Sequence, residues 1–300
     1  AATPRRWPAI DQIASVRIRV AKPTDVDACG RIIHDAFRDI AARHGFAPDF
    51  PHFEAAARFA GAFIGHPSVF GVVAEANGRV VGSNFLLEGD AIRGVGPITV
   101  DPDYQGRGVG RRLMQAVLER GKGASGIRLL QDSFNMRSLA LYASLGFEVR
   151  EPALVMTGRP RSRPRAGTTI RRLTDADLDS CNALCAQIHG FARGSELADA
   201  VQQRTAIMVE RDGRVTGYMA VPRFWIANHA VAETEDDLRA LIVGAGAEGP
   251  QPLSFLLPTR QASLFRWCLS EDLKAVKPMT MMGIGRYQTP LGTYLPSVLY

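Results

Sequence analysis

Gln105, Gly106, Arg107, Gly108, Val109, Gly110 and Arg111 lie between a strand-like run at 97–100 and a helix-like run at 108–120. In the helical run Leu113, Ala116 and Val117 share one face, while Arg111, Arg112, Gln115 and Glu119 take the other. A glycine-rich turn that opens into a helix aims several backbone N–H groups, and the positive end of the helix dipole, at one point. Glycine is needed there because a side chain would hold an anion away from the backbone. A pyrophosphate fits such a point. Two common nucleotide loops are excluded. The G-x-G-x-x-G fingerprint requires glycine where Arg111 stands, and the P-loop pattern around Gly121-Lys122 has Ala116 for its first glycine and Gly123 for its Ser or Thr. The pattern that fits is Q-x-x-G-x-G, filled by Gln105, Gly108 and Gly110. Alone, it also describes a helix start with no ligand.

A second constellation follows. After a short apolar run at 127–131 comes Asn135-Met136-Arg137-Ser138-Leu139-Ala140-Leu141-Tyr142-Ala143-Ser144-Leu145-Gly146-Phe147. Leu139, Tyr142 and Ala143 lie on one helical face, Gly146 is a C-terminal stop, and Phe147-Glu148-Val149 restarts a strand. Tyr142 by itself reads equally well as a core aromatic with a satisfied hydroxyl. In order and spacing, the two blocks together resemble the pyrophosphate loop and the Asn…Tyr…Leu-Gly-Phe block of the GNAT superfamily of N-acetyltransferases.

That resemblance implies an α/β fold with a mixed sheet (α+β in its strand order) covered by helices on both faces. It implies acetyl-CoA as cosubstrate, with Ile98, Thr99, Val100, Gln105, Gly106, Arg107, Gly108, Val109, Gly110, Arg111 and Asn135 as the residues that hold it. A strand at 91–100 would be bulged at Gly94-Val95-Gly96-Pro97, so that the pantetheine arm adds to it like another strand at 96–100; a simple edge strand fits these residues too. The implied chemistry is acetyl transfer to a primary amine by direct attack. A backbone amide near 98–100 would meet the oxyanion, and Tyr142 would act as the general acid toward the leaving thiolate. Glu88 and Asp132 are candidate bases, and a water chain to solvent is the alternative. Loops 44–51 and 65–68 are expected to shape the acceptor site, with His44, His52 and His66 as surface residues.

The elements that must position these groups read as a strand at 16–20, a helix from an N-cap at Thr24 to 43, and a helix at 52–64. Strands follow at 69–75, 79–87 and 91–100, then helix 108–120, strand 127–131, helix 135–145 and strand 148–157. The pattern then starts again. Ile18-Arg19 with Asp25-Val26-Asp27-Ala28-Cys29 aligns without gaps to Ile170-Arg171 with Asp177-Leu178-Asp179-Ser180-Cys181. The hairpin signals Asn77-Gly78 and Asp212-Gly213 also correspond. The expected organisation is a tail at 1–15, a catalytic GNAT domain at 16–158, an Arg/Pro linker at 159–167 and a degenerate GNAT-like domain at 168–300. The second copy is read as degenerate because 228–239 lacks the glycines and carries Glu233, Glu235, Asp236 and Asp237, which repel a pyrophosphate. Residues 260–269 also have no tyrosine at the matching place.

Composition bounds the rest. The chain has 300 residues, 46% of them hydrophobic, and a formal charge of +6. No apolar run is long enough for a membrane span, and the N-terminus has no apolar core of a secretory signal. Part of the positive excess is Arg159, Arg161, Arg163 and Arg165 in the linker. No aromatic residue stands among them for base stacking, which argues against nucleic acid. Cys181, Cys185 and His189 share a helical face, but no second ligand pair makes a metal site, and the four cysteines suit a reducing cytoplasm. The expected partner is a small-molecule or peptide amine, with monomer and homodimer both open. A non-catalytic acyl-CoA-binding or sensing protein is the alternative function.

Overall fold

The computed structural model describes residues 16–164 and 168–298. The expected tail 1–15, linker residues 165–167 and the terminal carboxylate at Tyr300 lie outside the described residues. In chain order the first half runs β1 (Arg17–Val20), α1 (Val26–His44), α2 (Phe53–Gly65), β2 (Val69–Ala76), β3 (Arg79–Leu87), β4 (Ile92–Val95), β5 (Thr99–Val100), α3 (Val109–Arg120), β6 (Gly126–Asp132), α4 (Met136–Ser144) and β7 (Glu148–Gly158). The second half runs β8 (Thr169–Arg172), α5 (Leu178–His189), α6 (Gly194–Gln202), β9 (Ile207–Arg211), β10 (Arg214–Met219), β11 (Ala230–Ala232), α7 (Glu235–Ala247), β12 (Leu253–Pro258), α8 (Ala262–Ser270), β13 (Lys274–Gly285) and β14 (Thr293–Leu295).

The repeated order has a repeated side-chain signature. Arg19 bonds Asp25 at 2.7 Å and Glu75 at 2.8 Å, and Arg171 bonds Asp177 at 2.8 Å and Glu210 at 3.2 Å. Each guanidinium fastens a first strand to the turn that opens the next helix, and each holds its aspartate carboxyl below the ordinary range. This differs from the expected cap at Thr24. α1 starts at Val26, and the Asp25 carboxylate accepts from the Lys22 N–H at 2.8 Å. Asp25 is the better acceptor because it is charged and already oriented by Arg19.

The chain packs as two compact units, one of residues up to 86 with 97–122, the other of 87–96 with 123 onward. In the first unit β1, β2, β3 and β5 form an antiparallel set, covered by α1 and α2 and by α3. Val72, Val73, Phe85, Leu113, Met114 and Val117 are buried there, and the Phe59 ring lies tilted against Phe63, which meets Phe85 edge-on. Ala116 is only half-buried, because Met114 takes the inward place.

The expected strand at 91–100 is broken. β4 ends at Val95, Gly96 sits at φ +138°, and β5 begins at Thr99. The pieces pair with different neighbours, β4 in parallel with β6 and β5 antiparallel with β3.

The second unit holds two sheets. One has the order β14-β11-β10-β9-β8. The other runs β4-β6-β13-β7-β12, so strands of the two halves alternate. β13 pairs Met279 with Asp132 of β6 on one side and with Ala153 of β7 on the other. β7 in turn lies between β13 and β12, with Phe255 opposite Met156. Each half therefore lends one strand to the other.

Candidate functional site

In the first unit, β5 leads through a 3-10 turn (Pro102–Tyr104) into the glycine loop. Asp101 closes that turn by accepting from the Asp103 N–H at 2.9 Å. The Gln105 amide donates to Val100 O at 3.1 Å, so its first task is to fold the loop back onto β5. The Arg107 guanidinium lies 5.6 Å over the Tyr104 ring. Gly106 and Gly108 both adopt left-handed backbone, at φ +77° and +80°. Gly108 is the N-cap of α3 and offers no side chain to cap it. A Cβ built on Gly108 would meet nothing within 4 Å, so the space above this helix end is open. The first intrahelical bond runs from Arg112 N–H to Gly108 O at 3.2 Å, so the Val109 and Gly110 amides precede it. No acidic residue stands in the first turn of α3. Val109 is buried and anchors the turn, and Arg111 is exposed. Upstream, Thr99 is buried with its hydroxyl 3.0 Å from Ser83 Oγ, whereas Ile98 and Val100 are half-buried.

The corresponding helix of the second half is built the opposite way. α7 is capped by Thr234, whose hydroxyl accepts from the Asp237 N–H at 3.2 Å, and Glu235, Asp236 and Asp237 fill its first turn. Asp237 is buried and ion-paired to Arg211. Such an end has one of its donors capped and its positive field opposed by three carboxylates, which disfavours an anion there.

In the second unit, the end of β6 leads into α4. Asn135 caps α4 by accepting from the Ser138 N–H at 3.2 Å. Tyr142, two turns on, is 6% exposed, and its ring lies 6.2 Å from that of Phe147. Burial pushes its hydroxyl up to about 12, with a hydrogen bond from the Ser138 side chain opposing and the Asp132 charge adding to the shift. Tyr142 therefore keeps its proton at neutral pH, as a donor must. The two candidate bases differ in surroundings. Asp132 is ion-paired to Lys277 at 2.7 Å, with both side chains nearly buried. Glu88 lies 3.7 Å from Arg93. His44 and His52 are exposed and His66 is half-buried, at the ends of α1 and α2.

Cys181 and Cys185 are fully buried free thiols, pushed up by burial to about 12 and about 11, which favours the protonated form over a metal-ligating thiolate. His189 is buried against the Tyr294 ring, and among the described residues no group of His, Cys, Asp and Glu is arranged to hold a metal ion.

One residue escaped the sequence reading. Gln131 on β6 is 5% exposed, and neither end of its amide has a hydrogen-bond partner. An unsatisfied buried amide costs on the order of 1–3 kcal/mol. The signal was present as a lone amide in the apolar run Ile127-Arg128-Leu129-Leu130-Gln131. Gln131→Leu is expected to raise the melting temperature of the protein, because it removes that cost. Thermal melts of wild type and variant check this, and an unchanged or lowered melting temperature would mean that the amide is satisfied.

Comparisons with known proteins bear on the family and the fold. Residues 33–147 match the model of the Acetyltransferase (GNAT) family. The mycothiol acetyltransferase of Thermobifida fusca is 36% identical over 101 residues, covering 30% of this chain and 31% of that protein. The N-alpha-acetyltransferase RimI of Mycobacterium tuberculosis is 47% identical over 51 residues, covering 17% of this chain and 32% of that protein. The chain thus spans about a third of the length of either relative. In fold, a Pyrococcus horikoshii protein named provisionally as an acetyltransferase superposes with a TM-score of 0.73 at 18% identity, over 92% of this chain and 91% of its own. A GCN5-related N-acetyltransferase from Sphaerobacter thermophilus gives 0.61 at 14% identity, over 91% and 98%. The mixed α/β architecture expected from the sequence is therefore the observed one. No described helix is long and apolar enough to cross a membrane. Over residues 33–147 the chain carries a domain of the acetyltransferase (GNAT) family.

Proposed function

We propose that this chain is an N-acyltransferase that moves an acetyl group from acetyl-CoA to a primary amine by direct attack, using the domain at 16–158. The observation that carries the reading is the uncapped, acid-free start of α3 behind left-handed Gly108, with open space where a side chain would stand. The domain at 168–300 is assigned as a degenerate copy, on the strength of the capped and acidic start of α7.

In this reading the amides of 108–110 hold the pyrophosphate, with Arg107 and Arg111 adding charge, and Gln105 keeps the loop in shape. Acetyl-CoA supplies the activated acyl group. A backbone amide at 98–100 donates to the oxyanion as charge develops. The attacking amine must first lose a proton, since its ordinary pKa lies near ~10. Both candidate bases already face a cation, Asp132 with Lys277 at 2.7 Å and Glu88 with Arg93 at 3.7 Å, and the looser of the two contacts favours Glu88. Tyr142 faces a mismatch. Full proton transfer from a phenol held at about 12 to a thiolate of ordinary pKa ~8.5 is uphill by roughly 5 kcal/mol. Its role is therefore to donate a hydrogen bond to the departing sulfur, with the proton following as the thiolate is itself desolvated. The acceptor belongs to the class of primary amines, a class consistent with the N-alpha-acetyltransferase among the relatives.

Tyr142→Phe tests the reading. Turnover with an accepted amine is expected to fall by about 10²-fold while acetyl-CoA affinity in calorimetry stays within a factor of two or so. If acetyl-CoA binds but no primary amine in a broad library is acetylated by the wild type, the chain is a sensor and the catalytic reading fails.

A further inference from the structure

Both halves contain the same short strand ahead of the same helix. In the first half β5 pairs with β3, Gly82 opposite Val100 and Ser83 opposite Thr99, and among the described residues it has no other ladder. In the second half β11 pairs with β10, Gly217 opposite Ala232 and Tyr218 opposite Val231. Gly82 and Gly217 serve the same purpose. A Cβ on Gly82 would approach Thr99 O to 2.9 Å, and one on Gly217 would approach Ala232 Cβ to 3.0 Å. The halves differ on the strand's far edge. β11 has its far edge filled by β14, with Ala230 opposite Leu295, Val231 opposite Tyr294 and Ala232 opposite Thr293.

The structure assigns that edge to the chain's own C-terminal segment: residues 293–297 occupy, in the second half, the strand position that the first half leaves for the extended arm of acyl-CoA. The assignment rests on the acyl-CoA reading of the first half given above.

The segment is held as a ligand is held, by groups that read its backbone. Gln261, the N-cap of α8 as Asn135 is of α4, donates to Tyr294 O at 2.6 Å and accepts from Tyr294 N–H at 3.1 Å. The Tyr294 hydroxyl donates to Glu151, which Arg260 also contacts at 3.0 Å. The Ser297 hydroxyl accepts from Arg193 at 2.7 Å, and Val298 N–H donates to Ile226 O at 2.9 Å. Tyr294, Leu295 and Ser297 are fully buried. An apolar strand can slip along an edge by two residues without losing its face. The Gln261 clamp and the Glu151 acceptor fix one register. One acyl-CoA per chain follows, because the second edge is closed and the helix beyond it is acidic.

The experiment uses the full chain with a protease site inserted after Leu291, a residue 78% exposed. After cleavage the C-terminal segment is expected to stay with the body through gel filtration. A fluorescent peptide of residues 292–300 should replace it up to one per chain, and the uncleaved chain should take none. Acetyl-CoA titration should give one site in both forms. A second readout needs no cleavage. Gln261→Leu should speed amide exchange at 293–295 by at least about tenfold and leave acetyl-CoA affinity unchanged. Loss of the cleaved segment with no change in the body's melting temperature, or two acetyl-CoA per uncleaved chain, overturns the assignment. Peptide exchange at one per chain with no acetyl-CoA bound overturns instead the reading of the first half and leaves the edge with the C-terminal segment.

Discussion

Gly108→Glu is expected to abolish acetyl-CoA binding while leaving the protein folded. The two effects separate because of where Gly108 lies. Its left-handed backbone costs a non-glycine residue on the order of 1 kcal/mol, which a domain of this size tolerates. Nothing lies within 4 Å of the new Cβ, so the side chain enters open space rather than the core. The amides before Arg112 belong to the same helix end, and a carboxylate beside them would block and repel a pyrophosphate. Replacing an attractive site by a repulsive one of about 3 kcal/mol or more lowers affinity by more than about 100-fold. Gly108→Asn is the control. Asn tolerates left-handed backbone and adds no charge, so it should weaken binding by a smaller factor. Calorimetric titration of acetyl-CoA into wild type and both variants measures this, with circular dichroism to verify the fold. Equal affinity in Gly108→Glu and wild type would mean that the loop is a bare helix start.

Cutting the gene between residues 164 and 165 is expected to leave neither half able to fold alone. The reason is the alternation β6-β13-β7-β12. Without β13 the first half has a gap between β6 and β7, with ladder groups of both strands exposed. Met279, Met281 and Met282, all buried, leave with it. The second half loses β7 from between β13 and β12, with Val155 and Met156. Residues 1–164 alone should be insoluble, or compact with dye-binding apolar surface and no near-UV signal. Co-expression of both halves should restore a soluble one-to-one complex that unfolds in one transition. A soluble 1–164 with cooperative unfolding would show that the exchanged strand is dispensable.

Much of the fold was legible because it depends on local pattern. Period 3.6 in 109–120 and the Asn77-Gly78 turn are properties of neighbouring residues. The repeat was legible for the same reason. Arg19 and Asp25 recur as Arg171 and Asp177 because the same strand-turn-helix corner needs the same ion pair in both halves. The geometry of the glycine loop was legible too, since a left-handed glycine before a helix leaves the first amides of that helix without intrahelical acceptors.

What failed to be legible depends on residues far apart in the chain. Asp132 read as a candidate base with no partner named for it, and its ion pair with Lys277 follows from no spacing rule. The exchange of β7 and β13 is equally hidden, because an apolar strand carries the pattern of a buried place without naming its neighbours. The same holds for β14, an apolar segment whose position on β11 is set by Gln261, Glu151 and Arg193. The sequence by itself determined the elements, their repetition and the glycine turn that opens α3. Only the tertiary structure decided which half each strand serves and which edge stays open, because ladder pairing and buried polar contacts form between residues brought together by the whole fold.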